Sequence, residues 1–142
     1  MLVRLMYASR AAAPMDAEAL HVILRQCKAN NPAQGITGLL CCADGVYIQA
    51  LEGGRQAVNQ LYLKLAADPR HRDQVLLSYE EINERRFAGW AMGQVSMARL
   101  NPALLLKYSA TPVLDPFSVS GKVALAMFDE LVATASVMAE RG

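Results

Sequence analysis

Two β-rich runs, residues 36–43 and 46–52, are separated by nothing but Asp44-Gly45. That dipeptide suits a two-residue type I′ turn, whose central positions need positive φ, so the two runs must form a tight antiparallel hairpin. The hairpin divides the first hundred residues into matching halves. Ahead of it, residues 2–7 place Val3, Leu5 and Tyr7 on one face and Leu2, Arg4 and Met6 on the other, the period of a strand. Pro14 and Asp16 then open a helix in which Leu20, Ile23, Leu24 and Cys27 recur at i, i+3, i+4 and i+7. Pro32 and Gly35 stop that helix near Asn30.

Behind the hairpin, Gly53-Gly54 ends the strand, and Val58, Leu61, Tyr62 and Leu65 again fall at helical spacing until Asp68-Pro69. "QVLLSYEEI" (74–82) and "WAMGQVSM" (90–97) follow as two strands joined by the polar turn "NERRFAG". The order βαββαββ predicts an α+β fold, a ferredoxin-like antiparallel sheet with two helices on one face. Strands 2–7 and 46–51 are apolar on both faces, so the other face also needs cover. "NPALLLKY", with Asn101 as N-cap and Pro102 at the first helical position, and "GKVALAMFDELVATASVMAE" are the helices that can supply it. In the second of them, Phe128, Leu131, Val132, Ala135 and Met138 line one side, and residues 121–139 serve either as sheet cover or as an oligomer interface. The expected division is a unit of residues 1–97 and a helical extension of residues 98–142.

Composition narrows the function classes. A chain of 142 residues with 54% hydrophobic and 19% charged content is long and apolar enough for a real core, and a net charge of +1 gives no electrostatic case for a nucleic-acid surface. No apolar stretch reaches the ~20 residues of a membrane span and the start lacks signal-peptide architecture, so a cytosolic protein is expected. Cys27, Cys41 and Cys42 lack chelating spacing, and Cys41 and Cys42 point to opposite faces of one strand; buried free thiols are the reading.

Polar residues break the core pattern where chemistry would sit. Parity puts Tyr7 beside Val3 and Leu5, and Gln49 beside Tyr47 and Leu51, while Asn30 and Asn31 close the first helix. Each buried amide or hydroxyl without a partner costs about 1–3 kcal/mol, so the set demands a closed network or a polar ligand. Helix capping is the plain alternative for the two asparagines.

Tyr7 with Ser9, "NNPAQGITGLL", "GVYIQALEG", "LAADPRH" and "ERRFAGWAMG", in this order over residues 1–97, resemble the BLUF family of blue-light sensors, which hold a flavin, usually FAD, between the two helices. The resemblance implies that Tyr7, Ile23, Cys27, Asn30, Asn31, Gln49, Lys64, Leu65, Asp68, Arg70 and His71 surround the cofactor. It implies FAD, with FMN or riboflavin as alternatives that share the same ring. Asn30 and Asn31 would read the pyrimidine edge, whose acceptors and N–H donor match side-chain amides. Tyr7 and Gln49 would carry the photochemistry, electron and proton leaving the phenol and the amide ending rotated or tautomerised. Trp90 and Met92, on one face by parity, match the pair that shifts near Gln49. Lys64 stands where the family more often has arginine, and an ammonium lacks the planar fork; Cys27 stands where a small hydroxyl residue is common.

A light sensor with no catalytic domain attached must act through a surface that another molecule reads. The partner is expected to be an unidentified signalling protein or a second subunit of a homo-oligomer, with no nucleic acid and no membrane. A flavin reductase or acyl-phosphate hydrolase would need a Gly-rich phosphate loop, a nucleophile elbow or a His and carboxylate at catalytic spacing, and none is present. A light-insensitive flavin-binding or oligomeric interaction module is the alternative function.

Overall fold

The computed structural model describes residues 1–13, 17–43, 45–95, 102–134 and 137–140. Its elements run β1 (Leu2–Ala11), α1 (Ala17–Asn30), a single 3-10 turn (Pro32–Gln34), β2 (Thr37–Ala43), β3 (Val46–Gly54), α2 (Arg55–Ala66), β4 (His71–Ile82), β5 (Met92–Val95), α3 (Pro102–Tyr108), α4 (Gly121–Thr134) and β6 (Val137–Glu140). The strands form one sheet in the order β4-β1-β3-β2-β5-β6. Its first four strands, with α1 and α2, are the ferredoxin-like arrangement expected from the periodicity.

The hairpin closes as its dipeptide requires. Ala43 pairs with Val46, and Gly45 sits at φ 76°, the left-handed conformation that glycine adopts without steric cost. Asp44, Pro14, Asp16, Asn101 and Ala135, which carried parts of the sequence reading, lie outside the described residues.

Strand parity then sorts the core into two layers. Val3, Leu5, Tyr7, Tyr47 and Leu51 face Ile23 of α1 and Val58 of α2, with Leu20, Leu24, Cys27, Leu61, Tyr62 and Leu65 around them. Met6, Ala8, Val46, Ile48 and Ala50 face the other way, against Leu105 of α3 and Ala124, Met127 and Phe128 of α4. Each such large apolar side chain contributes about 1.5–3 kcal/mol on full burial, so both layers are needed to hold the sheet. Ser120 starts α4 by accepting the Val123 N–H at its hydroxyl, and Gly121 lies so close to β4 that an added Cβ would fall 2.1 Å from the Leu77 carbonyl oxygen. The side chains of Cys41 and Cys42 fall in opposite layers.

Two expectations change. The sheet is not antiparallel throughout: β5 pairs parallel with β2, on the far side of the sheet from β4. The connection therefore crosses the ends of β1 and β3, where Arg4 and Glu52 hold it. The last helix is also shorter than its apolar pattern suggests. It ends at Thr134, and Val137–Glu140, with Met138, form β6 antiparallel to β5. A short apolar run fits helix or strand equally well, and the open edge of β5 offers ladder partners that decide for strand.

Candidate functional site

Between α1, α2 and the sheet lies a cleft of about 180 Å³, lined by Ile23, Gln26, Cys27, Asn30, Asn31, Leu40, Tyr47, Gln49, Leu61, Lys64, Leu65, Asp68, Arg70 and His71. Every residue expected around a cofactor lines it except Tyr7, which stands directly behind Gln49. These two are register partners on β1 and β3, and the Tyr7 hydroxyl donates to Gln49 Oε1. The other end of that amide, Nε2, lies 3.5 Å from Met92 Sδ at the start of β5. All three side chains are almost fully buried.

Asn31 shows that its amide is not spent on capping. Its backbone is right-handed at φ −66°, it makes no side-chain cap bond, and its Nδ2 donates instead to the Ala91 carbonyl at 2.9 Å. The left-handed residue that turns the chain is Gly35 at φ 68°. Asn31 is buried, whereas Asn30, the last residue of α1, is exposed at the cleft and does not join the interior polar set.

Electrostatics separate the cleft's deep end from its mouth. Burial raises the phenol of Tyr7 above its ordinary value, so it stays a proton donor to Gln49. Burial likewise pushes the Cys27 thiol up to about 11, outweighing the lowering effect of Arg70 and of its bond with Asn31. At the mouth, Arg70 grips Asp68 with Nε and Nη2, and this bond holds the Asp68 carboxyl below its usual value. His71 Nδ1 meets the Ser9 hydroxyl at 3.0 Å and its ring lies 4.7 Å from that of Tyr47; burial holds the imidazole below its usual value, hence neutral.

Trp90 departs from the sequence reading. It precedes β5 rather than lying in it, so strand parity does not extend to it, and its ring packs in the opposite layer, stacked on Phe87 with centroids 6.4 Å apart. Gly93 leaves room on that side for two neighbours: a Cβ there would fall 2.4 Å from Leu39 Cδ2 and 3.3 Å from the Trp90 ring. Met92 alone of that pair reaches Gln49.

Comparison with known proteins accords with this geometry. The family model "BLUF: Sensors of blue-light using FAD" matches residues 2–93. The chain belongs to the BLUF family. Among curated relatives, the photoactivated adenylate cyclase subunit beta of Euglena longa is 39% identical over 92 residues, 64% of this chain and 11% of that protein. The chain thus spans about a tenth of the length of the curated relatives it matches. Among solved structures, the photo-activated state of BlsA superposes with a TM-score of 0.81 at 28% identity, covering 100% of this chain and 99% of that one. The dark state of BlrB, a BLUF protein, gives 0.73 at 31% identity over 93% and 95%. The BLUF region here is therefore a blue-light sensor module that uses a flavin.

The cleft suits that cofactor. Ile23, Leu40, Leu61 and Leu65 offer apolar contact for a flat ring, while the amides of Asn30, Asn31 and Gln49 and the ammonium of Lys64 supply the mixed donors and acceptors its polar edge requires. Gln26, Leu40, Tyr47 and Leu61 were not singled out as site residues from the sequence. Tyr47 shares the parity of Gln49, and Leu61 shares the α2 stripe with Leu65, so both carried a usable signal.

Among the described residues no helix is long and apolar enough to cross a membrane.

Proposed function

We propose that this BLUF sensor signals by rearranging the hydrogen bonds of Gln49, and that the hydroxyl of Tyr7 resting on Gln49 Oε1 is the observation that carries the reading. Bound flavin supplies the blue-light absorption and accepts the electron. Tyr7 is the oxidisable group: its phenol, kept protonated by burial, becomes acidic once it loses an electron, and Gln49 Oε1 is already in place to take the proton. Return of the electron and the proton restores the neutral phenol of Tyr7 and leaves the amide rotated or tautomerised, which changes both of its contacts. After rotation Nε2 donates to the Tyr7 oxygen, and Oε1 faces Met92 Sδ. A thioether has no proton to donate to an amide oxygen, so that contact loses its hydrogen bond and pushes Met92 and β5 to readjust.

In the rest of the site, Asn30, Asn31 and Lys64 bind the polar edge of the ring, Ile23, Cys27 and Leu65 its faces, and Asp68, Arg70 and His71 the periphery at the cleft's mouth. FAD is the natural cofactor, and FMN or riboflavin present the same ring to these residues. Residues 1–97 form the sensing unit, and the extension of residues 98–142 carries the output through α3 and α4, which pack beneath the sheet. The output is altered contact with a cytosolic signalling protein or between subunits of an oligomer, with no catalytic step of the chain's own. Exposed Val75, Leu76 and Tyr79 on the edge strand β4 support a protein contact. One rearranged hydrogen bond is worth about 1 kcal/mol, enough to shift a binding equilibrium several-fold.

The test is absorption of the FAD-loaded protein before and after a blue flash, in wild type, Tyr7→Phe and Gln49→Leu. A small red shift that reverses in the dark, absent from both variants although they retain flavin, is expected. A reversible shift surviving in either variant, or none in wild type, overturns the reading and leaves a light-insensitive flavin-binding module.

A further inference from the structure

The most densely bonded buried charge in the described residues lies outside the flavin cleft. Glu52, three residues beyond Gln49 on β3, has a side chain with 0% exposure and points into the opposite layer. Its Oε2 takes Arg4 Nε at 2.8 Å and an Arg4 terminal nitrogen at 2.7 Å. Its Oε1 takes the backbone N–H of Phe87 at 2.7 Å, and the Arg86 N–H lies 3.0 Å from both oxygens. Arg4 continues to Glu80 of β4 at 3.0 Å. The carboxylate is thus a buckle on the segment that carries the chain from β4 across the sheet to β5.

That segment touches the light-sensing site at one end and α4 at the other. From Phe87, whose ring is buried, the chain turns through the Trp90 N–H to Phe87 carbonyl bond and is tied to β2 by the Gly38 N–H to Trp90 carbonyl bond. The next residue, Ala91, gives its carbonyl to Asn31, and the one after, Met92, lays its sulfur on Gln49. In the other direction, the Arg86 side chain pairs with Asp129 of α4.

We propose that Glu52 is the positioning residue that couples the two: by gripping the backbone of residues 86 and 87 it sets Ala91 and Met92 against the cleft and transfers a displacement of Met92 to α4 through Arg86 and Asp129. This rests on the light-sensing reading above. A free segment would absorb the movement of Met92 locally. A segment buckled to β3 within two residues of Arg86 moves as a unit.

Glu52→Gln tests this with little change in volume. A glutamine has one oxygen where two faced donors, so its NH₂ must oppose either Arg4 or the two backbone N–H groups, and one half of the buckle opens. Three readouts are taken on the FAD-loaded protein: the flash-induced red shift, its dark recovery, and the light-minus-dark difference in hydrogen–deuterium exchange over residues 121–134. The same exchange measurement is made on Arg86→Ala, which keeps its backbone N–H on Glu52 and cuts only the link to Asp129. In wild type the light difference over α4 is present. Glu52→Gln keeps the red shift, changes recovery by about threefold or more, the effect of altering one hydrogen-bond contact on a barrier, and loses the α4 difference. Arg86→Ala loses the α4 difference with recovery nearly unchanged. A Glu52→Gln protein that melts lower but recovers and signals to α4 like wild type makes Glu52 purely structural and overturns the proposal. If that variant does not fold, an α4 difference persisting in Arg86→Ala overturns it equally. No α4 difference in a wild type that still shows the red shift overturns the proposal alone, whereas no red shift in wild type overturns the light-sensing reading itself.

Discussion

Replacing Gly38 with alanine tests how tightly the central strands must approach beside Gln49. Gly38 sits on β2 opposite Leu51, and a Cβ built there falls 2.1 Å from the Ala50 carbonyl oxygen and 3.2 Å from the Met92 methyl. A comfortable C···O contact is about 3.3 Å, so β2 and β3 must part by roughly 1 Å at this point. That separation takes a ladder bond of ordinary length beyond hydrogen-bond range. Overpacking costs about 1–3 kcal/mol and the weakened bond about 1 kcal/mol, against roughly 0.4–1 kcal/mol gained from a stiffer unfolded chain. The net loss is about 1 to 3.6 kcal/mol, or roughly 3–14 °C in Tm for a domain of this size. Thermal unfolding followed by circular dichroism measures it, with Gly89→Ala as control, because nothing lies within 4 Å of a Cβ at Gly89. A Gly38→Ala protein melting within about 2 °C of wild type would refute the close-approach argument.

The titrating groups of the cleft give two further expectations. Burial holds the His71 imidazole below its usual 6.5, so the unfolded chain binds the proton first; its contribution to stability is complete above pH 6.5 and is lost as pH falls toward the lower folded value. Urea midpoints should drop between pH 7.5 and 5.5 in wild type and drop less in His71→Gln; equal drops would contradict the assignment. With the Cys27 thiol at about 11 instead of 9.0, its thiolate fraction at pH 8 is about 100-fold below that of an ordinary thiol. Iodoacetamide should therefore alkylate folded Cys27 about 100-fold more slowly than the unfolded chain, as followed by mass spectrometry, and comparable rates would refute the burial effect.

What could be read from the sequence depended on how local the deciding interaction was. The hairpin followed from two turn residues, and the facing of Tyr7 and Gln49 from period-2 counting along strands whose other members are plainly apolar. The stripes of α1 and α2 pointed where helical spacing put them. By contrast, the place of β5 depends on a segment held by Arg4 and Glu52, residues 48 apart in sequence, and a glutamate at a strand end carries no mark of that role. Trp90 and Met92 were separated for the same reason: parity holds only inside a strand, and the crossing segment delivers the chain into β5 at Met92. Asn31 presented two local options, a cap and a ligand. The carbonyl of Ala91, 60 residues away, decided how its amide is used. The tail of the last helix gave way to β6 because an edge existed to pair with, which no window of residues 121–140 reveals.

The central claim is that light changes the partners of the Gln49 amide. The most direct measurement is the side-chain ¹⁵N–¹H spectrum of FAD-loaded protein labelled on glutamine, recorded in the dark and under blue light, with the Gln49 pair assigned by its absence from Gln49→Leu. The account predicts that the Gln49 NH₂ resonances move under light and return in the dark at the rate at which the flavin absorption recovers. Gln49 resonances that stay in place while the flavin absorption shifts would contradict it.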